Sequence, residues 1–541
     1  MTTLEPDNTT QFAYARVSDQ DAVRPACHPV VIIGAGPVGL ALAVDLAQRG
    51  VPAVVLDDSD RVGAGSRAIC FAKRTLEIFG RLGVGDQALA KGVQWRLGKV
   101  FHKDRLLYQF DLLPEPGHKM PAFINLQQYH AETYLIARAR ELPGISLRWR
   151  NRLTGQEQHT DHVTLTVDTP DGPYRLDADW VVACDGARSA TRDLLGLDFL
   201  GEQFEDQFLI ADVKMTAPFP TERWFWFDPP FHSGQSALLH KQPDGEWRID
   251  LQLSPDADAG HERRPEVVRP RIARLLGHDD FALDWISIYR FQCRRLEKMR
   301  HGRVIFAGDA AHQVSPFGAR GANSGIQDAD NLGWKLAAVV EGRSPASLLD
   351  SYDSERTAAA IENIGYSTRA TDFIAPRSEA ERTLRDAALA LASTCDFAKR
   401  MVNSGRLSGP TAYAASPLST PDVETWNGGP PPGTVIPDTP LRDAAGRQRY
   451  LSEILPAGFV LLIAGATPSG LAVRGLTALS IGGDQRWRDS DGLFARRFDA
   501  TPGCAYLLRP DGHVAARFKL LDTADAQTRV SDALARAQGR A

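Results

Sequence analysis

The chain predicts an α/β fold in which a parallel sheet is interrupted by an antiparallel one and followed by a small α/β tail. Three observations predict it. Residues 30–57, VVIIGAGPVGLALAVDLAQRGVPAVVLD, read as strand, glycine turn, helix and strand. Two later segments, VVACDGARSATR and RVIFAGDAAHQVSPFGARGANSGIQDADNLGWKL, each run an apolar strand into an acid–glycine turn. Between them, residues 200–295 change to short alternating runs rich in aromatic residues.

In the first element, Val30, Val31, Ile32 and Ile33 form an apolar run that stops at Gly34. Gly34, Gly36 and Gly39 stand at G-x-G-x-x-G spacing, with Pro37 inside the motif. Gly50 breaks the helix, and Val54, Val55 and Leu56 end on Asp57, with Asp58 next. This is the pattern of a βαβ dinucleotide site. Gly34 allows the tight turn, Gly36 lets the backbone approach a pyrophosphate, and Gly39 lets the helix pack close to the strand. Unpaired N–H groups at the helix start attract the anion. Asp57, 18 residues after Gly39, is placed to accept hydrogen bonds from a ribose.

After a loop rich in Gly and Ser, FAKRTLEIFGRLGVG predicts a helix with Leu76, Phe79 and Leu82 on one face. Residues 125–140 predict another. From Leu147 to Ala183, SLRWR, VTLTVDT and YRLDADWVVAC suggest an antiparallel meander returning to the parallel sheet. FLIADVKM, RWFWFDPPFH, SALLHK, EWRIDLQL and WISIYRFQCR then read as antiparallel strands. Trp224, Phe225, Trp226, Phe227 and Phe231 crowd one piece of them, which a sheet core explains better than a ligand site. Residues 345–405 have a helical pattern, and TWNGGPPPGTVIPDTP reads as a linker. GFVLLIAGA, GLTALSIGG, AYLLRPDGHVAARF and a final Ala/Arg-rich helix make the tail.

Composition bounds the partners. The 541 residues are 43% hydrophobic and 24% charged, enough for two or three domains with a large core. A formal net charge of −5 argues against nucleic acid or an anionic membrane as partner. The six cysteines are scattered without C-x-x-C, so no metal ligand set is expected and they read as buried free thiols of a reducing compartment. The segment before Val30 lacks the layout of a secretory signal. The apolar run Phe459 to Ala464 is too short to span a bilayer. A cytoplasmic protein with a poorly ordered N-terminus is expected.

In the later motifs, Asp185 and Gly186 follow one strand, and Gly308 and Asp309 follow another. An acid at a strand's carboxyl end projects into the crevice where an α/β sheet binds ligands. After Asp309 come His312, Pro316, Gly318 and Gly321, and then a helix whose Ile326, Ala329, Gly333, Leu336 and Val340 share a face. Glycines before a helix start suit the approach of an electron-rich ring edge.

These three motifs, in this order and spacing, resemble those of the FAD-dependent aromatic hydroxylases, the single-component flavoprotein monooxygenases of the p-hydroxybenzoate hydroxylase and phenol hydroxylase type. The likeness is greatest to the branch of the 3-(3-hydroxyphenyl)propionate hydroxylases and pentachlorophenol monooxygenases. It covers residues 28–360 firmly and the tail weakly. The resemblance implies that Gly34, Gly36, Pro37 and Gly39 hold the FAD pyrophosphate, and that Asp57, with Asp58 beside it, binds the adenosine ribose. It implies that Arg67 reaches the FAD phosphates near the flavin and that Gln128 contacts the ribityl chain. Asp185 and Gly186 match a motif associated with both FAD and NAD(P)H. Gly308 and Asp309 match the motif whose acid binds the ribityl hydroxyls, and Pro316, Gly318, Gly321, Ala322 and Asn323 fall where the family lines the isoalloxazine ring. Ser315 replaces a usual proline and Phe317 a usual smaller residue, so the pocket over the flavin should differ in shape.

The implied fold is a Rossmann-like FAD-binding domain (29–199 and 296–370) with an inserted antiparallel substrate sheet (200–295). A flexible segment (1–28) precedes it. A helical segment with linker (371–428) follows, then a C-terminal thioredoxin-like domain (429–541) that has Cys504 but no partner at dithiol spacing. That tail is expected to be structural or interfacial. The implied activity is hydroxylation of a phenolic ring through a flavin C4a-hydroperoxide, with FAD as cofactor, NADPH or NADH as transient electron donor and O₂ as co-substrate. A phenolate reacts more readily than a phenol, so a base or cation should assist. Tyr289 and His232 are candidate catalytic groups, and Arg67 or Arg295 could hold an anion. A core tyrosine and a structural histidine are the competing readings. A homodimer is the favoured assembly. The rival reading is an FAD enzyme of another class on this scaffold, a reductase or a halogenase. The lysine-bearing W-x-W-x-I motif of a halogenase is not found after the first glycines.

Overall fold

The computed structural model describes residues 11–63, 68–217, 219–402, 407–482, 486–521 and 525–540. It opens with strand β1 (Ala26–Ile33), helix α1 (Pro37–Gln48) and strand β2 (Ala53–Asp57). Helix α2 (Lys73–Leu82) precedes a hairpin, β3 (Leu97–His102) and β4 (Arg105–Asp111). Helix α3 (Gln128–Glu141) leads to β5 (Ile145–Trp149), β6 (Arg152–Gln158), β7 (Val163–Asp168) and β8 (Tyr174–Ala183). Next come β9 (Leu200–Lys214), β10 (Arg223–Phe227), β11 (Ser236–Lys241), β12 (Glu246–Leu253) and β13 (Ala282–Arg295). Strand β14 (Val304–Phe306) is followed by helices α4 (Gly321–Val340), α5 (Leu348–Ile374), α6 (Glu379–Leu391) and α7 (Asp396–Val402). The tail holds β15 (Phe459–Ala464), β16 (Leu476–Ile481), β17 (Ala505–Leu508), β18 (Val514–Phe518) and helix α8 (Ala526–Ala537).

The first sheet runs β14-β8-β1-β2-β5, all parallel, with β7 added antiparallel to β8 and β6 antiparallel to β7. SLRWR is therefore a parallel edge strand, not part of the meander. Strands β1, β2 and β8 are apolar on both faces because α1 and α4 cover one side and the rest of the core the other. Helix α4 crosses α1 closely. A Cβ on Gly325 would lie 2.6 Å from Val38, and one on Gly333 would lie 2.0 Å from the Asp45 carboxylate.

The second sheet runs β13-β9-β12-β11-β10-β3-β4. It is antiparallel except where β10 lies parallel to β3. The sheet thus recruits residues 97–111, which the sequence had placed with the first domain. The hairpin's own alternation gives no sign of which sheet it joins. Strand β10 resolves the aromatic cluster by its period of two. Trp224 and Trp226 pack with Phe101, Phe219, Phe231 and Trp247 on one face, while Phe225 and Phe227 turn to the other.

The tail sheet runs β16-β15-β17-β18, with β15 and β16 parallel and the others antiparallel. The Gly/Pro-rich stretch is bonded into it rather than free. Arg517 donates to the Gly428 carbonyl at 2.9 Å, and Gly433 N–H to the Val514 carbonyl at 2.8 Å. The N-terminal segment is likewise packed from Gln11 onward, where Phe12 is buried and stacks on Trp149 at 4.4 Å. The cysteines are free among the described residues, but Cys27 is exposed rather than buried. No helix among the described residues is long and apolar enough to cross a membrane.

Candidate functional site

The parallel pairing of β2, β1, β8 and β14 brings their carboxyl ends side by side, and the three glycine turns leave from that edge. The backbone joins them directly. Gly34 N–H donates to Leu56 O (2.7 Å), Cys184 N–H to Ile33 O (2.7 Å), and Ala307 N–H to Ala183 O (3.0 Å). Packing joins them too. A Cβ on Gly34 would lie 2.4 Å from the Cys184 carbonyl oxygen, and one on Gly308 would lie 3.0 Å from Val38. Three segments far apart in the chain therefore meet around the start of α1.

A Cβ on Gly36 would meet no atom within 4 Å, and no side chain caps the helix that begins there. The uncapped N–H groups and the clear space before them fit a pyrophosphate. At the end of β2, the Asp57 carboxylate accepts Ala35 N–H at 2.6 Å and Ser59 N–H at 2.8 Å. Burial raises its pKa, and these two amides only partly counter that. Asp57 therefore shapes the glycine turn, and Asp58 is exposed beside it. Gln128 accepts Ala68 N–H at 3.2 Å and donates to Glu132 at 2.7 Å, and Glu132 holds Gly63 N–H at 2.8 Å. This pair fixes both flanks of the loop that carries Arg67, which itself lies outside the described residues.

Asp185 uses one oxygen to cap the following turn, accepting Thr191 N–H (2.9 Å) and Thr191 O–H (2.8 Å). Its Oδ1 is buried without a hydrogen-bond partner, and burial raises its pKa. An orphaned carboxylate oxygen beside Gly186 at the shared edge fits a hydroxyl-bearing or N–H-bearing cofactor. Gly308 has φ +63, and the Asp309 after it is exposed at the same edge.

The loop from Pro316 to Gly321 leads into α4. Gly318 has φ +95 and Ala319 φ +53, so the chain turns sharply there. Asn323 is spent on structure. Its oxygen accepts Ala72 N–H (2.8 Å) and Thr75 O–H (2.6 Å), and its amide donates to Cys70 O (2.8 Å) and Ala319 O (2.6 Å). The side chain expected along the ring instead pins the start of α4 to α2. Ser315 ties the loop to α5 by accepting Thr371 O–H at 2.9 Å. Phe317 packs edge-on against Phe208 (5.1 Å) and Phe291 (5.5 Å).

Sequence reasoning missed the group beneath this edge. Asp328 is fully buried and accepts Gly308 N–H at 2.9 Å and His312 Nε2 at 2.7 Å. It also pairs with Arg356, which in turn holds Ser324 O (3.1 Å) and Tyr413 O–H (2.8 Å). Burial pushes the Asp328 carboxyl up, but Arg356 and His312 outweigh that and keep it below the usual range. His312 is thus a structural histidine. Asp328 sits on an apolar helix pattern, and a buried acid there is not separable in sequence from a solvated one.

A cavity of about 550 Å³ opens between β10, the hairpin β3–β4, the Phe317–Arg320 loop and helices α5 to α7. Phe110, Phe225, Phe227, Phe317 and Phe373 wall it, and Arg223 and Arg320 line it. Phe317 and Gly318 line the cavity from the loop that leads out of the third glycine turn into α4. Of the catalytic candidates, Tyr289 lies opposite Phe208 on this same face of the sheet, packed against the Phe208–Phe317 cluster but outside the residues that line the cavity. His232 does not. Its Nε2 is 2.6 Å from the Gln252 carbonyl, it sits in the β10–β11 turn near Arg271 and Arg274, and burial lowers its pKa. It lines no part of the cavity. Arg295 is held on the carbonyls of Leu296 (2.9 Å) and Glu297 (3.3 Å).

With this geometry in view, the chain matches the family model described as FAD binding domain over residues 28–366. It is similar to 6-methylpretetramide 4-monooxygenase of Streptomyces rimosus, with 32% identity over 520 residues and 90% of each chain covered. It is similar to 3-(3-hydroxy-phenyl)propionate/3-hydroxycinnamic acid hydroxylase of Mycobacterium sp. (strain KMS), with 30% identity over 446 residues, 82% of this chain and 76% of the relative. Among solved structures, the flavin-dependent monooxygenase PieE in complex with FAD and substrate shares the fold. The TM-score is 0.82 at 22% identity, with 96% of this chain and 100% of that one covered. The chain belongs to the family of FAD-dependent aromatic hydroxylases.

Proposed function

We propose that this protein uses FAD, NAD(P)H and O₂ to hydroxylate a phenolic ring held in the Phe-walled cavity. The observation that carries the reading is the meeting of three glycine turns at one sheet edge, with the loop that follows the third turn lining the cavity through Phe317 and Gly318. FAD, reduced by a transiently bound nicotinamide, supplies the activation of O₂, which no protein side chain offers. The chain's own residues do the rest. Gly34, Gly36, Pro37 and Gly39 receive the pyrophosphate, and Asp57 the ribose. Gln128, Asp185, Gly186 and Asp309 orient the remainder, and the Pro316–Asn323 segment seats the ring. The phenylalanines exclude water, which protects a reactive oxygen species from unproductive decay. Tyr289, on the cavity's side of the sheet but not in its lining, is the proposed acceptor of the phenolic proton once substrate is bound.

The proposed domain division follows the sheets. The first sheet with α4 and α5 forms a Rossmann-like FAD-binding domain, the second sheet with its recruited hairpin forms the substrate domain, and residues 429–541 form a thioredoxin-like domain. The tail's strand order supports the last assignment, and its single Cys504 gives it no dithiol chemistry. A cytoplasmic location and a homodimer are proposed with it.

The test is direct. Purified protein should take up FAD and turn yellow. A panel of phenols should include members that stimulate NAD(P)H consumption and yield a product heavier by one oxygen. Uptake of FAD with no phenol stimulating turnover overturns hydroxylation, and refusal of FAD overturns the whole reading.

A further inference from the structure

The second sheet presents to the cavity side a face that is polar where a core would be apolar. Arg223 lies across from His240, and His240 lies across from Arg248. His240 is buried and its Nε2 has no hydrogen-bond partner. Burial first, then Arg223 and Arg248, drive its pKa well down, so it stays neutral, and a further charge beside the two arginines is the Asp250 carboxylate, whose Oδ1 also has no hydrogen-bond partner among the described residues. Arg248 has its own partner, Asp212, at 2.9 Å. Arg223 does not. Among the described residues no carboxylate lies within ion-pair reach of it, and its buried Nη1 has no hydrogen-bond partner. The nearby Glu222 is engaged by Lys99 (2.7 Å) and by Trp224 Nε1 (2.7 Å). Arg223 also lines the cavity, beside Phe225 and Phe227.

Arg223 is half-buried, and a donor atom such as its Nη1 that is closed off from water is costly unless something accepts from it. The surrounding charge points the same way, since the described lining carries six cationic side chains against two carboxylates. A volume of about 550 Å³ is that of a site for a ligand larger than one ring. Resting on the hydroxylase reading, we infer that the cavity takes a fused-ring phenol bearing an anionic oxygen, a carboxylate or stabilised enolate, and that Arg223 is the residue that binds that anion. Arg223 then sets specificity. It orients the ring by its charged end and leaves the opposite edge toward Phe317 and the cofactor edge.

Equilibrium binding to the FAD-loaded full-length protein, followed by perturbation of the flavin's visible absorbance, tests this without requiring turnover. The probes are 1-hydroxy-2-naphthoate, its neutral methyl ester and the single-ring salicylate. The acid should bind at least about tenfold more tightly than the ester, as a charge-assisted hydrogen bond provides, and more tightly than salicylate. Arg223→Met should abolish the acid's advantage while moving the ester less than about threefold, and Arg223→Lys should restore part of it. Equal affinity of the parent protein for acid and ester overturns the inference. So does absence of binding by both while FAD is held, or an advantage that survives Arg223→Met. Failure to hold FAD at all would instead strike the hydroxylase reading, and FAD titration of each variant separates the two.

Discussion

Asp328 accepts the backbone N–H of Gly308 at 2.9 Å from a position with no solvent exposure, so a buried carboxylate on one helix fixes the turn that carries Asp309. The same carboxylate neutralises Arg356. Removing it leaves a buried guanidinium unpaired, which costs about 3–5 kcal/mol. Asp328→Ala is expected to lower stability by that order in chemical denaturation and to weaken FAD binding. Asp328→Asn, which keeps an acceptor for Gly308, should retain more FAD affinity than Asp328→Ala when both are titrated with FAD.

The pH dependence follows from the same group and its neighbour in the tail contact. Burial raises the Glu355 carboxyl, but Arg509 and Lys335 outweigh it and hold it well below the ordinary range. Asp328 is also held low. A carboxylate whose folded pKa is depressed contributes stability that is complete above its unfolded pKa, about 4. That contribution is lost as pH falls through the folded value. Asp57 and Asp185, raised by burial, act with the opposite sign and offset part of the loss. Denaturation midpoints should be flat near neutrality and fall below about pH 4. Asp328→Asn should flatten that fall.

The glycine turn separates folding from cofactor binding at two neighbouring positions. A Cβ at Gly39 would stand 2.1 Å from the Gly34 carbonyl oxygen, whereas one at Gly36 meets nothing within 4 Å and its φ of −74 suits any residue. Gly39→Ala should therefore lower the melting temperature of FAD-free protein. Gly36→Ala should leave that melting temperature within about a degree while reducing FAD affinity, since the added methyl occupies the space of the pyrophosphate. Equal FAD affinity of Gly36→Ala and the parent, by titration, would remove the pyrophosphate from this position.

The sequence exposes the parts of this site that depend on backbone shape. Gly34, Gly39 and the two acid–glycine turns are legible because a tight turn after an apolar strand demands those residues at those spacings. The hairpin at residues 97–111 is misplaced because alternation names a strand's faces and not its neighbours. Asn323 reads as a ring contact from its place in the motif, yet its amide is spent on four structural hydrogen bonds that join α4 to residues 70–75. His232 stands next to the aromatic cluster in sequence, but the β10–β11 turn swings it to the outer side. Arg223, Asp328 and Glu355 are invisible for one shared reason. Burial of a charge is a property of the assembled layers, and charged residues at such positions in a sequence read as solvated faces.

Glu355 supplies the last prediction, because the tail is docked onto the first domain through it. Arg509 grips both of its oxygens, at 2.6 and 3.0 Å, and Lys335 adds a third bond at 2.7 Å. Arg509 also pairs with both oxygens of Asp511, and Asp511 Oδ2 accepts Trp334 Nε1 at 3.1 Å as well. All of these side chains are buried except for traces. Arg509→Met removes the cation shared by two buried carboxylates and leaves Glu355 paired with Lys335 and Asp511 paired with His513, so a loss of about 3–5 kcal/mol is expected. If the tail serves only as a structural buttress, the variant should lose stability and yet, in the cold and fully FAD-loaded, keep phenol-stimulated NAD(P)H consumption within about twofold of the parent. Wild-type stability of Arg509→Met in denaturant would mean that the ion cluster does not hold the tail in place. A large fall in turnover without loss of stability or FAD would show that the contact reaches the ring site through α4.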